Sequence, residues 1–346
     1  MSKNTVSIKD IAEAVGVSAS TVSRVINGKS GINEATRQKV LAMVDQSNYQ
    51  PNFLAKSLKM GRSNTICLLL PSIENLIFPA ITRGVEEEAR KHGFNVILCN
   101  SDEDEKSELE YIEKMKTYWI DGFILCTGSE SCTYAHELRS HQIPVVKVNR
   151  FTEQDMGLVD TVSVDNFQAA YDATEYLIRC GHRRIALAHG RENLYFYRER
   201  YRGYRQALED HGIPYDDALV IRETTGTESF YHLTREAMVM ENPPDAFFAS
   251  SDPKAFVILH ALHEMKLRVP EDVAVMGFDN VTLSSMVEPP LSTVSQPLRD
   301  MGAAAARKLI QQIQYKAEHE VLPPAESLVL ETDLVIRRST LHKEDE

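Results

Sequence analysis

Apolar residues recur along the chain on two different periods. Between residues 8 and 44 they fall three and four apart: Ile8, Ile11, Ala12 and Val15 share one face, Val22 and Val25 another, and Ala35, Val40, Leu41, Met43 and Val44 mark a third stretch. That spacing predicts three short amphipathic helices. Ser7-Ile8-Lys9-Asp10 is a capping-box pattern, Gly16 is a natural stop, and Ser18 and Asn33 can cap the second and third helices. The second would run from about Ala19 to Asn27. Small Ala12, the turn at Gly16 and Val22 opposite it let two helices cross closely, which is a helix-turn-helix.

From Thr65 the pattern changes. Continuous apolar runs (TICLLL, NVILC, GFILC, PVVKV, TVSV, RIALA, ALVI, AFFAS, VAVMGF) alternate with helical stretches over 77–92, 109–116, around Tyr134, 166–179, up to Asp210, 230–240 and 256–265. β-rich runs flanked by helices predict parallel sheets covered on both faces. About eleven strands exceed one ordinary sheet, so two lobes are expected. The predicted organisation is an all-α helix-turn-helix head over 1–50, a hinge helix and linker over 51–63, an α/β body over 64–340 and a polar tail over 341–346. Within the body, one lobe takes about 64–163 and 297–323 and the other about 164–292 and 324–340.

The outer face of the second helix carries Ala19, Ser20, Thr21, Ser23 and Arg24. These groups are short, polar and mostly uncharged, and they suit close approach to base edges; Arg24 can donate to a guanine and the hydroxyls to bases or phosphates. The apolar spacing alone fits any three-helix bundle, so this face is what points to DNA. Ser18, Thr21, Ser23 and Asn27 complete the candidate contacts on the head. Ser23 to Ser30 imitates the end of a phosphate-binding loop, but Ser23 replaces the first glycine and no buried strand precedes it, so a nucleotide site is rejected. Further on, Pro51 breaks the chain, Asn52 can cap, and the next seven or so residues form a helix too short to stand alone. Leu58, exposed between Lys56 and Lys59, could wedge into a minor-groove step while the lysines meet phosphates.

Charge agrees. The 346 residues carry a net charge of -12, but residues 1–62 hold nine basic and four acidic side chains, so a head of +5 precedes a remainder of -17. A basic tip on an acidic body is expected where one segment meets phosphates and the rest avoids them. The beginning MSKNTVSIKD lacks the apolar core of a signal peptide, and no run is long enough to span a bilayer, so a cytoplasmic location is expected. Cys67, Cys99, Cys126, Cys132 and Cys180 are odd in number without C-x-x-C spacing, and the histidines lack metal spacing. No cofactor or metal is expected.

IKDIAEAVGVSASTVSRVING, NEATRQKV and NYQPNFLAKSLK together resemble the DNA-binding head and hinge of the LacI/GalR family of transcriptional regulators. By that resemblance Ala19, Ser20 and Arg24 match base-reading positions, Leu58 the intercalating hinge leucine and Ala55 the small residue beside it. The resemblance also implies two Rossmann-like, periplasmic-binding-protein-like subdomains with chain crossovers and a ligand between them.

A cleft at the carboxyl ends of parallel strands is the expected ligand site. Residues just after strands that could line it are Phe78, Arg200, Asp252 and Asp279, with Phe196 in an aromatic and basic loop over 189–198. The resemblance makes Arg200 the effector-clamping arginine, Asp279 the effector-binding aspartate and Phe78 an aromatic lining residue. It also puts Asp165 and Gln296 near the cleft and lobe crossover, where a strand-end capping role is the plain alternative. Many relatives have Asn-Asp where this chain has Ser251-Asp252. Arg191, Arg198 and Arg200 exceed what a neutral ligand needs, which would suit an anionic or phosphorylated sugar; a loop with solvent-facing arginines is the plainer alternative and the slightly favoured one. His182 follows a helix-ending glycine and reads as a cap. Glu103 to Glu113 reads as a solvated acidic surface. The function expected is a homodimeric repressor of a near-palindromic operator, controlled by a sugar or sugar derivative and without membrane contact. Its rivals are a periplasmic sugar-binding protein, disfavoured by residues 1–62, and a metabolic enzyme with a DNA-binding head, disfavoured by the absence of a catalytic constellation.

Overall fold

The computed structural model describes residues 6–26, 28–47, 49, 62–128, 134–224 and 226–341. It divides into two compact units, Met1–Ser63 and Asn64–Glu346. In the first, helix α1 (Ile8–Val15) opens on a complete capping box: Asp10 N donates to Ser7 Oγ at 3.3 Å and Ser7 N to Asp10 Oδ2 at 2.7 Å. Gly16 ends it at φ 73°, a left-handed conformation that costs glycine little. Helix α2 (Ala19–Ile26) is capped by Ser18, whose Oγ accepts from Thr21 N at 3.1 Å, and α3 (Glu34–Gln46) by Asn33, whose Oδ1 accepts from Thr36 N at 2.8 Å. Ile11, Ala12, Val22, Val25 and Val40 bury together at the centre. Asn27 and the hinge residues Asn52, Ala55, Leu58 and Lys59 lie outside the described residues.

The second unit holds two six-stranded sheets. The first contains β1 (Thr65–Leu70), β2 (Asn95–Asn100), β3 (Gly122–Leu125), β4 (Val145–Val148), β5 (Asp160–Val164) and β11 (Ser327–Leu330), in the order β11-β5-β4-β3-β1-β2 and parallel throughout. Helices α4 (Phe78–Lys91), α5 (Glu105–Thr117), α6 (Tyr134–Ser140) and α11 (Leu298–His319) pack on it. The second sheet contains β6 (Ile185–His189), β7 (Val220–Arg222), β8 (Ala246–Ala249), β9 (Ala274–Asp279), β10 (Ser292–Ser295) and β12 (Asp333–Val335), in the order β12-β10-β9-β8-β6-β7, with only β12 antiparallel to its neighbour. Helices α7 (Asn166–Arg179), α8 (Tyr195–Asp210), α9 (Ser229–Met238) and α10 (Asp252–Glu264) cover it. Central strands such as β1, β3, β6 and β8 are buried at every position, which is why they read as unbroken apolar runs. Each of their large side chains contributes roughly 1.5–3 kcal/mol on burial.

The chain crosses between the sheets three times: at Asp165, at Gln296-Pro297 and at Glu331-Thr332. The third crossing differs from the sequence expectation, because β11 joins the first sheet although 324–340 was assigned wholly to the second lobe. SLVLETDLVI is divided at Glu331-Thr332: Ser327–Leu330 pairs with β5 of the first sheet and Asp333–Val335 with β10 of the second. Helices α4 and α11 meet backbone to backbone. A Cβ on Gly84 would lie 1.9 Å from the Arg299 carbonyl oxygen, and one on Gly302 would lie 2.1 Å from that of Ile81. Among the described residues no helix is long and apolar enough to cross a membrane, and no group of three metal-ligating side chains converges.

Candidate nucleic-acid face and inter-lobe site

Helix α2 buries Val22 and Val25 and turns its other face outward. Ser18 Oγ lies 2.8 Å from Ser20 Oγ and 2.9 Å from Thr21 Oγ1, a hydroxyl cluster at the helix start. Ala19, Thr21 and Ser23 are half-buried, whereas Ser18, Ser20 and Arg24 are exposed. Arg24 Nη2 donates to the Ser30 carbonyl at 2.8 Å, so its guanidinium is held along the edge of this face. The helix thus offers short hydroxyls and one planar cation, with no carboxylate among its residues.

In the second unit, the carboxyl ends of the two sheets bring most of the expected ligand residues together. Arg200, in the second turn of α8, is fully enclosed: Nε donates to Asn166 Oδ1 at 2.9 Å, Nη1 donates to the Ser250 carbonyl at 2.5 Å and lies 3.8 Å from Asp279 Oδ1. Its guanidinium stacks on Phe278, 3.5 Å from the ring centre, and lies 5.0 Å from that of Phe196. Gln296 Nε2 donates to Asp279 Oδ1 at 2.7 Å, and Gln296 Oε1 is buried without a protein partner. Asp279 ends β9 at φ 127°, where a side-chain-bearing residue is strained; such strain persists where surroundings over-determine it, commonly at binding sites. Phe78, the first residue of α4, is buried on the opposite side of the site, joined to it by Arg150, whose guanidinium carbon lies 6.0 Å from the ring centres of both Phe78 and Phe196.

Two expected residues have other surroundings. Asp252 begins α10 and is saturated: Ser284 Oγ donates at 2.5 Å, Thr293 Oγ1 at 2.6 Å and Val281 N at 3.0 Å, which tie together the ends of β8, β9 and β10. Asp165 caps α7, accepting from Gln168 N at 2.9 Å, and lines a separate cavity of about 400 Å³ with Phe151, Asn166, Phe167, Tyr195 and Arg202. A second cavity of about 340 Å³ is lined by His189, Glu192, Arg198, Tyr201 and Arg222. Neither reaches Arg200, Asp279 or Gln296. Buried polar groups, an unpartnered amide oxygen and a strained backbone instead converge around Arg200, Asp279 and Gln296.

Strand-end reasoning missed Arg150, Asn166 and Lys254. Arg150 lies two residues beyond the end of β4, at the same end of the strands as the other candidates. Lys254 is buried, donating to Tyr197 Oη at 2.8 Å and Ser251 Oγ at 3.2 Å, and is 3.6 Å from Glu223. The acidic stretch 103–113 is only partly a solvated surface. Glu103 pairs with Arg150, and Glu108 is buried, with desolvation pushing its carboxyl up to about 7. Of the three arginines expected to be free for an anion, Arg200 is engaged as above and Arg198 donates to the Glu192 carbonyl at 3.0 Å. His182 follows Gly181, its N–H returning to the Leu177 carbonyl at 3.1 Å.

Burial pushes the Asp279 carboxyl up to about 7; Arg200 opposes this, nearby Asp252 adds to it, and the Gln296 bond opposes it. An acid raised in the folded state stabilises the fold below its unfolded pKa, near 4, and that contribution is lost as pH rises through about 7. Stability of the body should therefore fall between about pH 4 and pH 7 with a slope of up to ~1.4 kcal/mol per pH unit from this group, and level off above. Urea midpoints for wild type and Asp279→Asn check this. The difference between them should change with pH, whereas parallel profiles would assign the dependence to Glu108 or another group.

Residues 63–327 match the family model of periplasmic binding proteins and the sugar-binding domain of the LacI family, and residues 7–52 match that of bacterial regulatory proteins of the lacI family. The chain is 34% identical over 336 residues to the HTH-type transcriptional regulator DegA of Bacillus subtilis (strain 168), covering 96% of this chain and 97% of DegA. A solved complex of the transcriptional regulator CelR with cellobiose is 30% identical, covers 96% of this chain and 99% of CelR, and superposes with a TM-score of 0.74. The lac repressor dimer bound to operator and the anti-inducer ONPF is 25% identical and covers 98% of this chain and all of that chain, with a TM-score of 0.86.

Proposed function

The chain belongs to the LacI family of bacterial transcriptional regulators and is a DNA-binding regulator rather than an enzyme; on that premise we propose that it is a homodimeric, cytoplasmic repressor whose α2 enters the major groove of each half of a near-palindromic operator. Ser18, Ala19, Ser20, Thr21, Ser23, Arg24 and Asn27 form the reading face, and the hinge segment with Asn52, Ala55, Leu58 and Lys59 contacts the operator centre. The observation that carries this reading is the outward face of α2, a carboxylate-free row of hydroxyls ending in Arg24.

The effector is a sugar or sugar derivative held between the lobes, as cellobiose is the ligand of the CelR complex. Arg200 and Asp279 offer fixed donors and an acceptor, Gln296 an unpartnered amide oxygen, and Phe78 and Phe196 apolar faces; bidentate polar groups beside an aromatic wall suit a polyhydroxy ligand. Asp165 and Gln296 lie at two of the three crossovers, so lobe closure on a ligand is felt where the chain passes between sheets. Asp252 supports the site by fixing the loops around it. Ile97 and Leu98, exposed on the edge strand β2, offer an apolar edge for the second subunit.

A mobility-shift titration on palindromic DNA, with and without candidate sugars, tests the reading; equal binding to scrambled duplexes would reject it. Leu58→Ser should weaken operator binding about tenfold or more while leaving effector affinity within twofold, because a wedge acts only in the DNA complex. Unchanged operator affinity in that variant rejects the wedge.

A further inference from the structure

A carboxylate bridges the two lobes at the mouth of the inter-lobe site. Glu103 follows β2 in the first lobe. Its oxygens accept two parallel bonds from Arg150, at 2.8 Å from Nη1 and 2.9 Å from Nη2, and Oε2 also accepts from Arg191 Nη1 of the second lobe at 3.3 Å. Arg191 Nε lies 3.6 Å from Glu223, which is itself 3.6 Å from Lys254. Arg150 is buried, and its Nε has no protein partner. Asp102 and Glu103 both hold left-handed backbones, φ 52° and 62°, a costly pair for residues with side chains. The Glu103 side chain is 29% exposed, so it can leave toward water.

Two arginines from opposite lobes, one buried and presenting its fork, converge on one carboxylate that a strained loop delivers. That is the geometry of an anion clamp. We propose that Glu103 is a tethered stand-in for the effector's own anionic group: a carboxylate or phosphate on a sugar derivative displaces it, takes the Arg150 fork and draws Arg191 onto the same oxygens. Exchange of one anion for another leaves Arg150 neutralised throughout, whereas a neutral sugar in that position would strand a buried guanidinium. The inference deepens the effector reading and rests on the cleft being the effector site. It also transfers the anionic preference from Arg198 and Arg200, which are engaged elsewhere, to Arg150 and Arg191.

The full-length protein provides the test. Glu103→Ala empties the slot and should lower the melting temperature. Sodium formate or acetate should then restore it saturably in the millimolar range, by about 3 °C or more over equal sodium chloride. Wild type and the double variant Glu103→Ala/Arg150→Ala should not respond; should Glu103→Ala fail to fold, Glu103→Gly, which empties the slot and suits the left-handed backbone, takes its place. Identical formate responses in the single and double variants overturn the slot. In wild type, D-gluconate or D-glucose 6-phosphate should raise the melting temperature at concentrations about tenfold lower than D-glucose or cellobiose. Response to neutral sugars alone overturns the anionic class while leaving the cleft reading intact. Formate rescue with no response to any sugar upholds the slot and counts against the sugar part of the cleft reading.

Discussion

Replacing Arg200 with alanine should destabilise the body by about 3–5 kcal/mol and abolish any response to effector, because removing one member of a buried charge cluster leaves the others without partners. The residue is 2% exposed, and truncation strands Asn166 Oδ1 and the Ser250 carbonyl while removing the plate that fills the space between Phe196 and Phe278. Against a typical total of 5–15 kcal/mol this is a large fraction, and the melting temperature should drop by on the order of 10 °C. The penalty has a built-in limit. Asp279 is already raised to about 7 by burial, and without Arg200 it moves higher and becomes neutral at ordinary pH. The gap between wild type and variant should therefore narrow as pH falls from 8 to 6. Arg200→Lys separates charge from shape: it keeps a cation but loses the fork and the stacking, so effector response should vanish at a smaller cost in stability. A variant Arg200→Ala melting within about 2 °C of wild type would show that the site tolerates an empty centre, and the argument for its polar convergence would fail.

That cluster also shows which parts of the molecule are written locally. The head is legible because its signals are short-range: Ser7 and Asp10 satisfy each other across one turn, Gly16 takes the left-handed position at the helix end, and Asn33 caps the helix beginning one residue later. The body's strands are legible because central parallel strands bury both faces. Strand-end position picks out Phe78, Arg200 and Asp279, and the fold brings them to the carboxyl ends of its strands, where ligands are expected. It failed where partners are distant in sequence. Asp252 resembles a ligand contact at a strand end, but Ser284 and Thr293, more than thirty residues later, occupy both its oxygens. Glu103 resembles the start of a solvated acidic helix, but its partners are Arg150 and Arg191. Nothing within ten residues of either carboxylate announces those pairings, and the division of SLVLETDLVI between two sheets is hidden for the same reason.

Arg24→Ala should cost operator affinity more than any other single change on the head, while leaving its folding intact. The side chain is exposed, and it contributes nothing to the cluster of Ile11, Val22, Val25 and Val40 beneath it. Its bond to the Ser30 carbonyl at 2.8 Å lies at the surface, where water replaces it on release. The head thus holds the guanidinium at the edge of the α2 face without sequestering it. A guanidinium paired to a guanine edge discriminates by about 1–3 kcal/mol, and a two-fold dimer uses two of them at well-separated half-sites, where losses add. The specific complex should weaken by about 2–6 kcal/mol, roughly 30-fold to more than 10,000-fold, with little change on scrambled DNA. Arg24→Lys makes the distinction sharper. It preserves the positive charge, so the salt dependence of binding should change by less than about one phosphate contact, yet it loses the bidentate fork, so preference for the operator should collapse toward the non-specific level. If both variants instead lose affinity equally on operator and scrambled duplexes, Arg24 is a phosphate contact. The sequence preference would then have to come from the hydroxyls of Ser18, Ser20 and Thr21, which hold one another at 2.8 and 2.9 Å in the free head and would need to exchange those bonds for base edges.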